Sequence, residues 1–128
     1  MAYYRWMKTV AVIGASSDRS KFGNKALRAF RTNGYKVIPI NPSEKEVEGE
    51  PAYVSVLDYE GGIDEATFYV NPRVGEKVLD DIAKKGIAKV WLNPGADGPN
   101  VVARAKALGL NAVRACSIMA IGDSPSRY

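Results

Sequence analysis

The sequence predicts an α/β fold: a doubly wound parallel sheet of about five main strands in three α/β/α layers. Three observations carry that prediction. Short apolar, β-branched runs recur along the chain, segments of helical periodicity separate them, and the first run ends on a glycine that opens a loop of small residues.

Thr9–Ile13 (TVAVI) is an apolar run that stops at Gly14, the pattern of a strand buried on both faces. A helix follows over Phe22–Thr32, with Leu27 and Phe30 on one face and Gly34 as its stop. Lys36–Ile40 (KVIPI) is the second strand, and Pro39, which lacks an N–H, limits pairing near its end. Residues 41–62 read as irregular, with an edge strand near 52–54 and one helical turn near 55–57. The third main strand is read over 65–70 (EATFYV). Asn71 then supplies an N-cap and Pro72 the first helical position, and Val74, Val78, Leu79 and Ile82 keep helical spacing until Gly86. Lys89–Leu92 (KVWL) is a fourth strand, 100–108 a helix closed by Gly109, and Asn111–Arg114 (NAVR) the last strand. Alternation of this kind implies right-handed crossovers and parallel strands in the order 2-1-3-4-5. The topological switch point then lies between the first and third strands, so the loops after Ile13 and Val70 face each other across one crevice.

A chain of 128 residues, 46% hydrophobic and 25% charged, is the size of one soluble domain spanning 1–128, with a core that needs no disulfide or metal. The single cysteine, Cys116, excludes an internal disulfide and suits a reducing cytoplasm. There is no histidine, which removes the commonest general acid/base, every histidine-based triad and most transition-metal sites; no metal site is expected. Residues 1–8 hold no long apolar run, so neither a signal peptide nor a membrane span is expected. The net charge of +4 is spread along the chain, which argues against a nucleic-acid partner. Only Arg19, Lys21, Lys25 and Arg28 gather, just after the first strand, and that cluster suits a small polyanion.

The same stretch holds the candidate site. A strand running through Gly14, Ala15, Ser16 and Ser17 into a helix that starts at Phe22 and Gly23 presents backbone N–H groups and the positive helix end to an anion. Arg19 and Lys21 add positive charge. The spacing is neither G-x-G-x-x-G nor a P-loop, and such turns also occur without any ligand. At the end of the second strand, where NAD-binding domains place an acid for the ribose, stand Asn41, Pro42 and Ser43, with no acid until Glu44. That argues against NAD.

In order along the chain, VAVIGAS (10–16), GYKVIPINP (34–42), FYVNP (68–72), KVWLNPG (89–95) and LNAVRAC (110–116) resemble the small stand-alone CoA-binding proteins, which share their domain with the N-terminal part of the succinyl-CoA synthetase α subunit. The resemblance covers roughly residues 8–122 and implies a Rossmann-like domain that holds coenzyme A or an acyl-CoA. It places Gly14 to Ser17 with Lys21 to Gly23 at the pyrophosphate, and Asn41, Pro42 and Ser43 near the ribose 3′-phosphate or adenosine. Asn71, Pro72 and Arg73 would lie against the adenine, and Asn93, Pro94 and Gly95 along the pantetheine arm. The synthetase keeps its catalytic histidine in a second domain, and this sequence has none. The expectation is therefore a binding module without autonomous catalysis. The alternative is an NAD(P)- or nucleotide-binding subunit of an oxidoreductase or ligase whose catalytic groups come from a partner chain.

The remaining chemistry-bearing residues read as structural. Cys116 is expected to be buried and inert, and Trp91 to be core. Asp64 with Glu65 and Asp80 with Asp81 are neighbours that point to different faces and read as solvated surface. Tyr3, Tyr4 and Trp6 form an aromatic N-terminus that would cap the domain or reach a partner.

Overall fold

The computed structural model describes residues 8–128; the aromatic group at Tyr3, Tyr4 and Trp6 lies outside the described residues. The elements in chain order are β1 (Thr9–Ile13), α1 (Phe22–Thr32), β2 (Lys36–Ile40), β3 (Glu46–Val47), β4 (Glu50–Pro51), β5 (Glu65–Phe68), α2 (Pro72–Lys85), β6 (Lys89–Leu92), α3 (Pro99–Ala107), β7 (Asn111–Arg114) and α4 (Ser117–Ala120), with 3-10 turns at Val56–Asp58 and Pro125–Arg127. The main sheet has five parallel strands in the order β2-β1-β5-β6-β7, the predicted 2-1-3-4-5.

Alternation along β1 explains the three layers. Ala11 and Ile13 face one side, where Phe68, Leu92, Leu79 and Ile82 of α2, and Val101 and Ala105 of α3 join them. Val10 and Val12 face the other, against Ala26, Leu27 and Phe30 of α1 and Ile118 of α4. Both faces of the strand are thus apolar, as a strand covered on both sides by crossover helices requires. Pro39 sits in the edge strand β2. Its carbonyl accepts from Tyr53 on the outer side, while the carbonyl of Ile40 accepts from Gly14 on the inner side. The missing proline N–H therefore faces away from β1 and costs no ladder bond.

Several boundaries differ from the expectation. The third main strand ends at Phe68, so Tyr69 and Val70 belong to the connection that follows. The edge strand expected at 52–54 reduces to a bridge between Ile40 and Tyr53. Its place is taken by the β3–β4 hairpin, whose two-residue turn holds Glu48 at φ 50 and Gly49 at φ 81. The turn near 55–57 is the 3-10 turn at Val56–Asp58, capped by the Ser55 side chain. Val74 does not join the core but stands 43% exposed on the first turn of α2.

Of the acidic pairs, Glu65 departs from the expectation. Glu65 is buried at 4% exposure, its carboxylate taking the Trp91 indole N–H at 2.8 Å and facing Lys8 at 3.4 Å. Asp64 accepts the N–H of Thr9 at 2.7 Å, Asp80 pairs with Arg104 and Asp81 accepts from Ser55. The burial of Glu65 is met by its hydrogen bond to Trp91, which is what makes a carboxylate tolerable inside a sheet.

The C-terminal segment folds back on α1. Asp123 accepts hydrogen bonds from the Tyr128 hydroxyl at 2.6 Å, from Asn33 at 2.8 Å and from the Ser124 N–H at 2.8 Å, and pairs with Arg127 at 2.8 Å. The Tyr128 hydroxyl first, then these other donors and the Arg127 charge, lower the Asp123 pKa from 3.8 to about 2. A folded-state pKa below the unfolded value gives stability that is present above the unfolded pKa and lost as pH falls through the folded one. The difference in melting temperature between wild type and Asp123→Asn is therefore expected to close as pH is lowered from about 4 to about 2. A constant difference across a pH series of thermal melts would show that this carboxylate does not tie the terminus down.

Candidate functional site

The chain leaves β1 through a close approach of three segments. Gly14 adopts φ +89, and a Cβ there would lie 2.6 Å from the Tyr69 carbonyl oxygen. A Cβ on Gly23 would lie 2.1 Å from the Gly14 carbonyl oxygen. Both glycines are thus required by backbone-to-backbone contact: they let the first turn of α1 rest directly on the end of β1 and on the segment after β5.

Between these glycines the loop is ordered by its own side chains. Ser16 Oγ accepts from the Asp18 N–H at 3.0 Å, and Asp18 accepts from Ser20 through the backbone N–H at 3.0 Å and through Oγ at 2.6 Å. Those two Ser20 bonds lower the Asp18 pKa and keep it an anion. Helix α1 then starts with Lys21 as N-cap and no side-chain cap. The N–H groups of Phe22 and Gly23 occupy the first positions of the helix, where no intrahelical acceptor exists, and both residues border an open space.

That space is a cleft of about 540 Å³ at the carboxyl ends of β1, β5 and β6. Lys21, Phe22 and Gly23 form one wall, Tyr69 and Val70 the floor after β5, and residues 93–96 with Cys116 the far side. Its position is the switch point that the strand order dictates, because β2 lies on one side of β1 and β5 on the other. Lys25 stands over the exposed Phe22 ring at 5.5 Å and adds positive charge at the mouth.

Under the cleft lies a buried polar network. Asn93 donates to Thr67 Oγ1 at 2.8 Å and to the Phe68 carbonyl at 2.9 Å, while its Oδ1 accepts the Ser117 N–H at 2.8 Å. Ser117 Oγ meets Thr67 Oγ1 at 2.7 Å and the Tyr69 hydroxyl at 3.1 Å. Burial pushes the Tyr69 phenol up to about 12, so it stays protonated and acts as a hydrogen-bonding group, not a base.

The residues named from the sequence separate into groups. Lys21, Phe22, Gly23, Asn93, Pro94 and Gly95 come together around the cleft. Gly14 and Ala15 lie behind it, Ala15 fully buried. Ser16 bonds within the loop and to Asn24, while Ser17 and Arg19 face the segment that follows β2: the Ser17 N–H donates to Glu44 at 2.9 Å and Arg19 pairs with Glu48 at 3.4 Å. Asn41 ties that segment to the loop, donating to the Ala15 carbonyl at 2.8 Å and accepting from the N–H of Ser43 and Glu44. Pro42 and Ser43 are exposed beside it.

Asn71 caps α2 by accepting the Val74 N–H at 3.0 Å, with Pro72 at the first position and Arg73 exposed on the same turn. These residues do not line the cleft. Asn93 lines it with its side chain turned inward and spent on the network. Cys116, expected to be buried, is half-buried and forms part of the wall. Tyr69, Val70 and Ala96 line the cleft without having been singled out from the sequence. Placing the third strand's end two residues later hid the first two. Among the described residues no group of three or more acidic, cysteine or histidine side chains is arranged for a metal ion.

A family model described as "CoA binding domain" matches residues 8–123. The chain belongs to the CoA-binding domain family. An ADP-forming acetate–CoA ligase of Methanocaldococcus jannaschii is 39% identical to this CoA-binding domain over 87 residues, which are 68% of this chain and 12% of the ligase. Among solved structures, a hypothetical protein from Pyrococcus horikoshii superposes with a TM-score of 0.84 at 27% identity, covering 92% of this chain and 85% of that one. A dinucleotide-forming acetyl-coenzyme A synthetase from Ca. Korarchaeum cryptofilum, in complex with phosphate and ADP, superposes with a TM-score of 0.74 at 30% identity over 85% of this chain and 26% of its own. The matched segment is thus 85% of the Pyrococcus horikoshii protein and only 12% of the acetate–CoA ligase. No helix among the described residues is long and apolar enough to cross a membrane.

Proposed function

We propose that this chain binds coenzyme A or an acyl-CoA, with the pyrophosphate at the start of α1 and the pantetheine arm in the adjoining cleft. The observation that carries the reading is the uncapped N-terminus of α1, which opens with Lys21 into a cleft of about 540 Å³. A phosphate there takes hydrogen bonds from the Phe22 and Gly23 N–H groups and gains from the helix dipole. The cleft walls beyond it are mainly apolar, through Phe22, Val70, Pro94 and Ala96, which suits a flexible thiol-ended arm. Asn41 to Ser43 and Asn71 to Arg73, on either side of the first loop, are the places for the adenosine end.

The chain is a holder of the cofactor, and the chemistry belongs to other domains or a partner chain. That reading is supported by the relatives: in the ligase of Methanocaldococcus jannaschii, the matching segment is 12% of the protein. Residues 1–128 are read as one domain on the same grounds of size and core.

Calorimetric titration with CoA, acetyl-CoA, AMP, NAD and NADP tests it. CoA is expected to bind tightest; binding no better than AMP would end the reading, and preference for NAD or NADP would install the dinucleotide alternative. Lys21→Ala is expected to weaken CoA binding by about 1–3 kcal/mol, the value of a hydrogen bond to a charged group. Arg19→Ala is expected to do less, because Arg19 already pairs with Glu48. An unchanged affinity for Lys21→Ala would move the phosphate away from α1.

A further inference from the structure

The donors of the β1–α1 loop are already holding anions of the protein's own. The Ser17 N–H donates to Glu44 Oε2 at 2.9 Å, across 27 residues of chain. Glu48 Oε2 lies 3.4 Å from the Arg19 Nε and accepts from Asn24 Nδ2 at 3.2 Å. An exposed backbone N–H and a guanidinium beside the start of a helix are groups a phosphate would use.

Each contact is poorly explained as mere stabilisation. Ser17 is exposed, so water would satisfy its N–H without help. Glu48 is the described non-glycine residue at positive φ (50°), in a hairpin turn where asparagine or glycine would sit without strain. The backbone is held there by Arg31, which donates to the Glu48 carbonyl at 2.8 Å and pairs with Glu50 at 3.0 Å. Strain kept at a residue whose carboxylate reaches the loop points to a role for that carboxylate.

We propose that Glu44 and Glu48 compete with the ligand for the β1–α1 loop, and so set how strongly that loop takes a nucleotide phosphate. The proposal rests on the reading above, that CoA binds with its pyrophosphate at the start of α1, and adds that a phosphate of the same ligand reaches the Ser17 N–H. Two anions cannot share the Ser17 N–H, so phosphate entry there requires Glu44 to leave. The segment from Glu44 to Pro51, with the β3–β4 hairpin in its middle, is then released from the loop as the ligand seats. The asparagine at the head of this segment, Asn41, stays bonded to Ala15 and acts as its hinge.

The test is calorimetry with CoA on wild type, Glu44→Gln, Glu48→Gln and the double variant, with thermal melts to show that each is folded. Backbone hydrogen exchange is followed with and without CoA. The double variant is expected to bind CoA about fivefold to tenfold tighter, through removal of exposed like-charge competition. On CoA binding, exchange is expected to slow at residues 14–17 and to quicken at 44–51. These opposite signs are what a purely structural tether would not produce. If wild type binds CoA and the double variant binds it equally or more weakly, the competition is overturned while the CoA reading stands. Slower exchange at 44–51 in the complex overturns it in the same way, making the carboxylates part of the ligand's own contacts. If neither wild type nor the double variant binds CoA, the CoA reading falls and the competition with it.

Discussion

Gly23→Ala is expected to destabilise the protein by about 3 kcal/mol or more and to abolish the proposed CoA binding. The sign makes the prediction sharp. By helix propensity alone, alanine in place of glycine within α1 would be worth up to about 1 kcal/mol in favour of the variant. The new methyl, however, would stand 2.1 Å from the Gly14 carbonyl oxygen, 3.0 Å from its carbonyl carbon and 3.3 Å from the Ala15 Cα. All three atoms are backbone, so no side chain can swing aside, and α1 must lift off the end of β1. That movement displaces the Phe22 and Gly23 N–H groups from the cleft they line. Gly75→Ala in α2 provides the contrast, since the nearest atoms its Cβ would meet are in side chains, the Phe68 ring at 3.3 Å and Val70 Cγ2 at 3.6 Å. Urea unfolding of the two variants checks the claim; a Gly23→Ala midpoint at or above wild type would mean that α1 does not rest on Gly14.

Asn93→Ala is expected to cost about 2–4 kcal/mol, because it strips several partners from one buried site at once. Asn93 is 3% exposed, with Thr67 and Ser117 fully buried beside it. Loss of its amide leaves the Ser117 N–H without the acceptor that starts α4, and removes the donor that serves Thr67 and the Phe68 carbonyl. The effect should reach the cleft, since Cys116 is the N-cap residue of α4 and part of the wall. With one cysteine in the chain, the rate of thiol modification reads Cys116 alone. Denaturation should show the loss of stability, and Cys116 should react faster in the variant. Unchanged stability would mean that water replaces the amide and that the network is not what fixes this corner.

The fold class was legible because its signals are local. The run TVAVI, the turn at Gly14 and the Asn71-Pro72 helix start each depend on a few neighbouring residues, and crossover handedness then fixes the strand order. The site was legible in part for the same reason: Gly23 marks where a helix touches a strand end, and Lys21 stands beside it. What the local pattern could not carry was partner choice. Glu65 looks like surface in sequence and is buried under the Trp91 indole. Asn93 looks like a ligand contact and is turned inward onto Thr67 and Ser117. The loop residues Ser17 and Arg19 look free for an anion and are held by Glu44 and Glu48.

By itself, then, the sequence determined a parallel sheet with its switch point beside Gly14, since hydrophobic period and glycine position are written residue by residue. Only the tertiary structure decided which polar groups around that point are occupied. A hydrogen bond is chosen by proximity in space, and the long-range ones around this site join residues 24 to 50 positions apart in the chain.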